Sequence, residues 1–274
     1  MTSFGDRLRR AVDTHGRLCL GLDPHASLLA EWGLPDSAEG VREFALRALD
    51  AATGRVGIVK PQVAFYERFG AAGYAALEDV IAHARSLDLV VIGDAKRGDI
   101  GSTMAAYASA WLDPASPLAV DAMTVVAYQG LGSLMPALDL AHEHDRGLFV
   151  LTATSNPEAH EVQHSVTGTG RTVAGQLARE VGALNATASG WGSVGVVIGA
   201  TEPLASAGID PVLLAHTPVL APGFGFQGGR LTELRELYGV AADSVIASVS
   251  RSVLGSGPEG IGAALDAHRA ELIS

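Results

Sequence analysis

The sequence predicts a (β/α)8 barrel of the TIM type, a single domain over residues 1–274. Apolar, strand-like runs recur along the whole chain, at 18–23, 56–60, 89–94, 118–125, 147–153, 194–200, 218–221 and 244–249. Stretches with amphipathic helical spacing alternate with them, at 4–14, 38–52, 66–86, 102–112, 131–144, 172–184, 231–238 and 258–272. The length of 274 residues, 48% hydrophobic and 18% charged, suits one large α/β domain with a substantial core. A doubly wound open sheet is the runner-up. Its dinucleotide fingerprint, Gly-x-Gly-x-x-Gly after the first strand, is missing, and Gly21-Leu22-Asp23-Pro24 stands there instead.

In such a barrel chemistry sits at the carboxyl ends of the strands. The first run ends in Cys19-Leu20-Gly21-Leu22-Asp23-Pro24 and puts a carboxylate at that rim, although Asp23 before a proline reads equally as a helix cap or turn residue. The second run ends in Val59-Lys60-Pro61-Gln62. Lys60 and Lys96 are the only lysines in the chain, and both fall at strand ends. A lysine is a compact point charge with a transferable proton, so this confinement favours chemistry over solvation.

The third run is the densest stretch, Val90-Val91-Ile92-Gly93-Asp94-Ala95-Lys96-Arg97-Gly98-Asp99-Ile100-Gly101-Ser102-Thr103. A β-branched apolar strand switches there to acids, bases and glycines. Residues two apart on a strand share a face, so Asp94 and Lys96 are expected to project together, while Gly98 and Gly101 let Asp99 turn back over them. A salt-bridged strand end is the plain alternative. Against it, unpaired burial costs several kcal/mol per ion, and an apolar end would serve structure more cheaply.

The fourth run leads into Val126-Ala127-Tyr128 and the fifth into Thr154-Ser155-Asn156-Pro157. The polar segment from Pro157 to Thr172 is long for a βα loop and is a candidate lid. His160 and His164 within it have the i, i+4 spacing of helical zinc ligands but no third ligand, so no metal site is expected. The seventh run opens into Pro222-Gly223-Phe224-Gly225-Phe226-Gln227-Gly228-Gly229, where glycines allow backbone N–H groups, and the end of a following helix, to approach an anion. A plain flexible loop is as good a reading of those glycines alone. The eighth run adds Ser250-Arg251, and the loops after strands seven and eight are a common phosphate site in barrels.

A formal net charge of −11 disfavours nucleic acid and anionic membranes as partners. The single cysteine, Cys19, excludes disulfides within the chain and cysteine metal clusters. Residues 1–10 carry early charges and no apolar signal core, and no apolar run approaches the roughly 20 residues that span a bilayer. A soluble, cytoplasmic protein is expected.

Asp94, Lys96, Asp99, Ile100, Gly101 and Thr103 fill every fixed position of Asp-x-Lys-x-x-Asp-Ile-Gly-x-Thr, and in this the chain resembles the orotidine 5′-monophosphate decarboxylase family. Phosphosugar decarboxylases and synthases on the same barrel share the shorter Asp-x-Lys-x-x-Asp core. The resemblance extends through Leu20-Gly21-Leu22-Asp23-Pro24, Lys60-Pro61-Gln62, Thr154-Ser155-Asn156-Pro157, Gly199-Ala200-Thr201, the Gly223 to Gly229 loop and Ser250-Arg251. It departs at Val126-Ala127, where the similar subgroup carries Asn-Pro.

The resemblance implies a catalytic set of Lys60, Asp94, Lys96 and Asp99, with Asp23 and Lys60 on the ribose and Ser155 on the pyrimidine edge. Gln227, Gly228 and Arg251 would hold the phosphate, and Ile100 with Thr103 would complete a neighbouring subunit's site in a homodimer. The reaction implied is conversion of orotidine 5′-monophosphate to UMP, the last step of de novo pyrimidine nucleotide synthesis, with Lys96 as proton donor and no metal or organic cofactor. Two rivals stand beside it, a Schiff-base lyase using Lys60 or Lys96, and a non-catalytic phosphate-ligand binder on the same barrel.

Overall fold

The computed structural model describes residues 2–272; Met1 and residues 273–274, the ends of the expected domain, lie outside the described residues. Strands β1 (Leu18–Leu22), β2 (Ile58–Pro61), β3 (Val90–Arg97), β4 (Ala122–Val125), β5 (Gly147–Ala153), β6 (Val194–Ile198), β7 (Val219–Pro222) and β8 (Val245–Val249) pair in sequence order, all parallel. β1 pairs with β8 through Leu18↔Ala247, Cys19↔Ser248 and Leu20↔Val249, which closes the barrel. The expected fold and the order of its strands are thus the observed ones.

The helices are α1 (Phe4–His15), α2 (Ala26–Glu31), α3 (Ala38–Ala52), α4 (Ala64–Glu67), α5 (Gly70–Ser86), α6 (Gly101–Leu112), α7 (Met135–Glu143), α8 (Ala159–Gln163), α9 (Val173–Leu184), α10 (Leu234–Tyr238), α11 (Arg251–Leu254) and α12 (Gly257–Glu271). Three expected helices are interrupted. The stretch 66–86 splits because Gly70 adopts φ +60°, which ends α4 and restarts the chain as α5. In 131–144 Pro136 has no N–H to give to the preceding turn, so Leu131–Leu134 is a 3₁₀ turn ahead of α7. In 231–238 a 3₁₀ turn, Leu231–Glu233, takes the place of a helical start, so the glycine-rich loop is not followed by the α-helix N-terminus the sequence suggested. α2, α8 and α11 are short and went unpredicted, having too few turns to show a period.

Strand alternation sorts the residues onto two faces. Leu18, Leu20 and Leu22, Val59, Val91, Met123 and Val125, and Val245, Ala247 and Val249 face the helices in one large core. Cys19, Ile58, Val90, Ile92, Ala122, Phe149, Val197, Leu220 and Ile246 fill the barrel interior. Following the inward rows towards the carboxyl ends gives Asp23 after Cys19, Lys60 after Ile58, Asp94 after Ile92, Thr124 after Ala122 and Ser248 after Ile246. An apolar floor therefore meets a polar mouth, which is where the strands deliver the site.

α1 closes the floor. Its N-cap Ser3 accepts from Asp6 N, and its buried residues Phe4, Leu8 and Val12 belong to the interior cluster. Phe4 meets Phe149 edge to face at 6.2 Å between ring centroids, and the space it fills is left by Gly147, where a Cβ would strike the Phe4 ring. Phe4→Ala should therefore destabilise the protein by about 3–5 kcal/mol in urea denaturation, the usual cost of truncating a buried phenylalanine. A loss below about 1 kcal/mol would mean that α1 does not seal the barrel.

Candidate active site

The mouth of the barrel opens into a cavity of about 520 Å³, within the range that takes a small ligand. Of the residues singled out from the sequence, it is walled by Asp23, Lys60, Asp94, Lys96, Ser155, Gln227 and Arg251. Asp99, Ile100, Thr103 and Gly228 are not among its walls.

Asp94 is the centre. Lys60 Nζ donates to Asp94 Oδ2 at 2.9 Å, and Lys96 Nζ donates to Asp94 Oδ1 at 2.6 Å. Thr124 Oγ1 donates to the same Oδ1 at 2.9 Å. Burial works to raise the Asp94 pKa, yet the Lys60 and Lys96 ammoniums outweigh it and hold the carboxyl well below the ordinary range. Burial likewise works against the charge on Lys60, and Asp94 and Asp23 overcome it, so the Lys60 pKa lies above the ordinary lysine value. Lys60 and Asp94 are almost fully buried, whereas the Lys96 side chain is 45% exposed and faces the opening. One lysine is thus built in, and the other is presented.

Lys96 reaches Asp94 by a different route from the one that strand alternation suggests. β3 and β4 pair at Gly93↔Met123 and next at Arg97↔Val125, so the bulge sets three residues of β3 opposite Thr124 alone. Lys96 takes φ +47°, left-handed backbone that is unfavourable for a residue with a Cβ, and its N–H donates to Thr124 Oγ1 at 2.9 Å. Thr124 thereby secures both the carboxylate and the turn that aims the lysine. It was missed in the sequence; its one signal was a hydroxyl at an inward position of the apolar run Ala122-Met123-Thr124-Val125.

Beyond the bulge, Gly98 packs so tightly on the loop after β4 that a Cβ would lie 2.2 Å from Val126 O. Val126 N donates to Arg97 O at 2.8 Å, which binds the two loops together. The Asp99 carboxylate accepts from Ile100 N at 2.8 Å and makes no ion pair with Lys96 inside this chain. Ile100, N-cap of α6, is 60% exposed, and Thr103 is exposed on the first turn of that helix.

At the far side, Asp23 Oδ1 and Ser250 Oγ are buried without a hydrogen-bond partner among the described residues and stand at the cavity wall. Unsatisfied polar atoms in such a place await a ligand's donors and acceptors. Gly223, Gly225 and Gly228 all have positive φ, which gives the β7 loop a conformation that residues with side chains rarely adopt. Arg251 opens α11, its carbonyl accepting from Gly255 N, and its guanidinium makes no hydrogen bond or ion pair among the described residues. Its guanidinium, with the loop amides, supplies the positive potential there in place of the absent helix end. His25, also missed, lines the same wall with its ring 4.4 Å from that of Phe65, and no pattern around Pro24-His25 marked it.

The candidate lid is folded down at one edge. Gln163, at the end of α8, accepts from Thr154 N at 2.8 Å and donates to Thr154 Oγ1 at 3.0 Å. His164 Nε2 lies 3.0 Å from Glu202, and the rings of His160 and His164 stack at 3.8 Å. Ser155, one residue from this latch, is exposed towards the cavity. Cys19 is a buried thiol whose pKa burial pushes up to about 12, which leaves it an inert core residue.

Comparison with known proteins agrees with this geometry. The family model described as orotidine 5′-phosphate decarboxylase / HUMPS family matches residues 16–264. Orotidine 5′-phosphate decarboxylase of Corynebacterium glutamicum is 50% identical over 262 residues, covering 94% of this chain and 92% of that protein. The enzyme of the same name from Streptomyces coelicolor is 50% identical over 260 residues, with the same coverage. Among solved structures, one from Streptomyces avermitilis superposes with a TM-score of 0.95 at 48% identity, covering 100% of this chain and 95% of that one. OMP decarboxylase of Leishmania donovani superposes with a TM-score of 0.76 at 29% identity, covering 99% of both chains.

The charge network has a stability signature. Because the folded Asp94 pKa is depressed, its contribution is complete above the ordinary unfolded value of about 3.9 and is lost progressively as pH falls from there through the folded value below it. Asp94→Asn should cost about 3–5 kcal/mol in urea denaturation, since it leaves a buried ammonium unpaired. The difference from wild type should hold from about pH 8 to about pH 5 and shrink below about pH 4. An unchanged stability would mean that Asp94 does not compensate Lys60.

Proposed function

The chain belongs to the orotidine 5′-phosphate decarboxylase / HUMPS family and is a carboxy-lyase, and on that premise we propose that it converts orotidine 5′-monophosphate to UMP by direct, cofactor-free decarboxylation with Lys96 as the proton donor. The observation that carries this reading is the Lys60–Asp94–Lys96 array at the mouth of the cavity, with the outer lysine presented to a ligand.

Loss of CO₂ from the pyrimidine leaves an electron pair on a ring carbon with little resonance relief, so fixed charge must stabilise it. The Lys96 ammonium supplies that charge as the carbon–carboxylate bond breaks, then passes its proton from Nζ to the same carbon. Asp94 lies beside the leaving carboxylate and disfavours the bound ground state more than the transition state, in which that charge is departing. Lys60, whose pKa is raised, stays charged and holds Asp94 in place. A permanently charged lysine is also a poor amine nucleophile, which argues against a Schiff-base route through Lys60.

The remaining contacts follow from what each wall offers. The unpartnered Asp23 Oδ1 and the Lys60 ammonium take the ribose hydroxyls, and Ser155 takes the pyrimidine edge. Arg251, Gln227 and the Gly228 amide take the phosphate, whose binding energy helps to close the lid far from the reacting carbon. The enzyme works in the cytoplasm, a setting supported by its single free buried cysteine and by described helices none of which is long and apolar enough to cross a membrane.

Completion of the site calls for a second copy. Ile100, Tyr128 and Met135 are 60%, 83% and 47% exposed on the joined loops after β3 and β4 and the start of α7. An apolar ridge beside the mouth suits an isologous dimer in which Asp99, with Ile100 and Thr103, enters the partner's cavity and reaches the exposed Lys96.

Two measurements test these assignments. Lys96→Ala should lower kcat by roughly 10²–10⁴ from lost proton transfer alone, read from the absorbance change of orotidine monophosphate with chelator present. Turnover near wild type would overturn the mechanism. Lys96→Ala and Asp99→Ala, each inactive alone, should regain activity when unfolded and refolded together, because random pairing restores roughly a quarter of all sites if Asp99 acts across the dimer. A mixture no more active than its components, with subunit exchange confirmed, would place Asp99 in its own chain's site.

A further inference from the structure

The tip of the β7 loop carries an aromatic ring that the reading above does not use. Phe226 is 66% exposed, flanked by Gly225 and Gln227, and the Arg251 guanidinium carbon lies 3.7 Å from its ring centroid. That is close contact for a cation over an aromatic face. The loop beneath is a glycine scaffold, tied by Gly225 N to Gly229 O, Gly228 N to Gly225 O and Gly229 N to Gly223 O. Phe226 adds nothing to either buried core, so its contact with Arg251 is the specific packing interaction it makes.

We infer that Phe226 is a positioning residue for phosphate recognition, a shelf on which Arg251 rests with its N–H donors turned outward for the ligand. This rests on the proposed substrate. A guanidinium binds phosphate through donors in its plane, whereas an aromatic ring attracts it through its face, so both partners act on one arginine at once. A carboxylate partner would orient Arg251 equally well, but it would consume the donors and cancel the charge that the phosphate needs. The ring costs neither. It also joins the β7 loop to the β8 end, so the loop that carries Gln227 and the arginine that follows Ser250 meet the phosphate as one unit.

Calorimetric binding of UMP and of uridine to five proteins tests this: wild type, Phe226→Leu, Phe226→Tyr, Arg251→Ala, and Phe226→Leu combined with Arg251→Ala. Phe226→Leu keeps an apolar side chain of similar size without a π face. It should weaken UMP about three- to fivefold, the size of an exposed cation–π contact, and leave uridine unchanged. Phe226→Tyr should bind UMP within about twofold of wild type. In the Arg251→Ala background, Phe226→Leu should add nothing. The shelf is overturned if Phe226→Leu matches wild type on UMP, if uridine loses as much as UMP, or if the loss persists without Arg251. A wild type that does not prefer UMP to uridine would instead overturn the proposed substrate, and the shelf with it.

Discussion

One carboxylate, Asp94, holds the site together. Two ammoniums and a hydroxyl converge on it from three strands, Lys60 on β2, Lys96 on β3 itself and Thr124 on β4. At an effective dielectric near 20, the buried Lys60 contact supplies several kcal/mol, enough to offset the several kcal/mol that burying each of its ions costs, while the half-exposed Lys96, screened by solvent, adds less. Remove the carboxylate and Lys60 becomes an unpaired buried cation, while Lys96 loses the contact that fixes its head group. The array also accounts for lysine rather than arginine at these two positions. The inner lysine has to fit a nearly closed space, and the outer one, in the proposed reaction, gives up a proton, which arginine does not do.

The array depends on where the strands stop. The inward row of each strand runs from apolar residues at the floor to a polar one at the mouth, as Ile58 to Lys60 and Ile92 to Asp94 show. A slip of one residue in β2 or β3 would turn those charges into the helix layer. Register therefore decides whether the site forms, and what fixes it is the packed interior beneath, with α1 as its seal. The outer helices contribute differently. α6 carries Thr103 on its first turn, and the loop leading into it carries Asp99 and Ile100, none of which lines the chain's own cavity.

Much of this was legible in the sequence because it follows from periods of two and 3.6. The order of the strands and the rim positions of Asp23, Lys60, Asp94 and Arg251 needed only alternation and the rule that barrel chemistry lies at strand ends. The illegible parts are those where the backbone leaves its period. Lys96 meets Asp94 through a bulge and a left-handed residue, and no propensity scale anticipates lysine in that conformation. Thr124 matters because of what that bulge does to its neighbours, a contact between strands of which its own run carries only an inward hydroxyl. Likewise the stacking of Phe226 on Arg251 joins residues 25 positions apart through a loop whose glycines conceal its shape.

The mouth also gathers groups that the chain leaves unanswered. Lys96 sits in strained backbone and, among the described residues, Asp23 Oδ1 and Ser250 Oγ lack partners and the Arg251 side-chain donors are unused. Each strained residue or unsatisfied buried atom costs on the order of 1–3 kcal/mol, which matters in a fold whose net stability is commonly 5–15 kcal/mol. Such a concentration persists only if the rest of the barrel over-determines it, as the packed floor and helical layer do. The same deficits define what a ligand can contribute. In the proposed complex a ribose hydroxyl answers Asp23 and a phosphate answers Arg251, so groups that weaken the free protein become contacts realised on binding. Binding energy gathered at those remote groups is then free to hold a carboxylate against Asp94, where no isolated ligand would choose to place one.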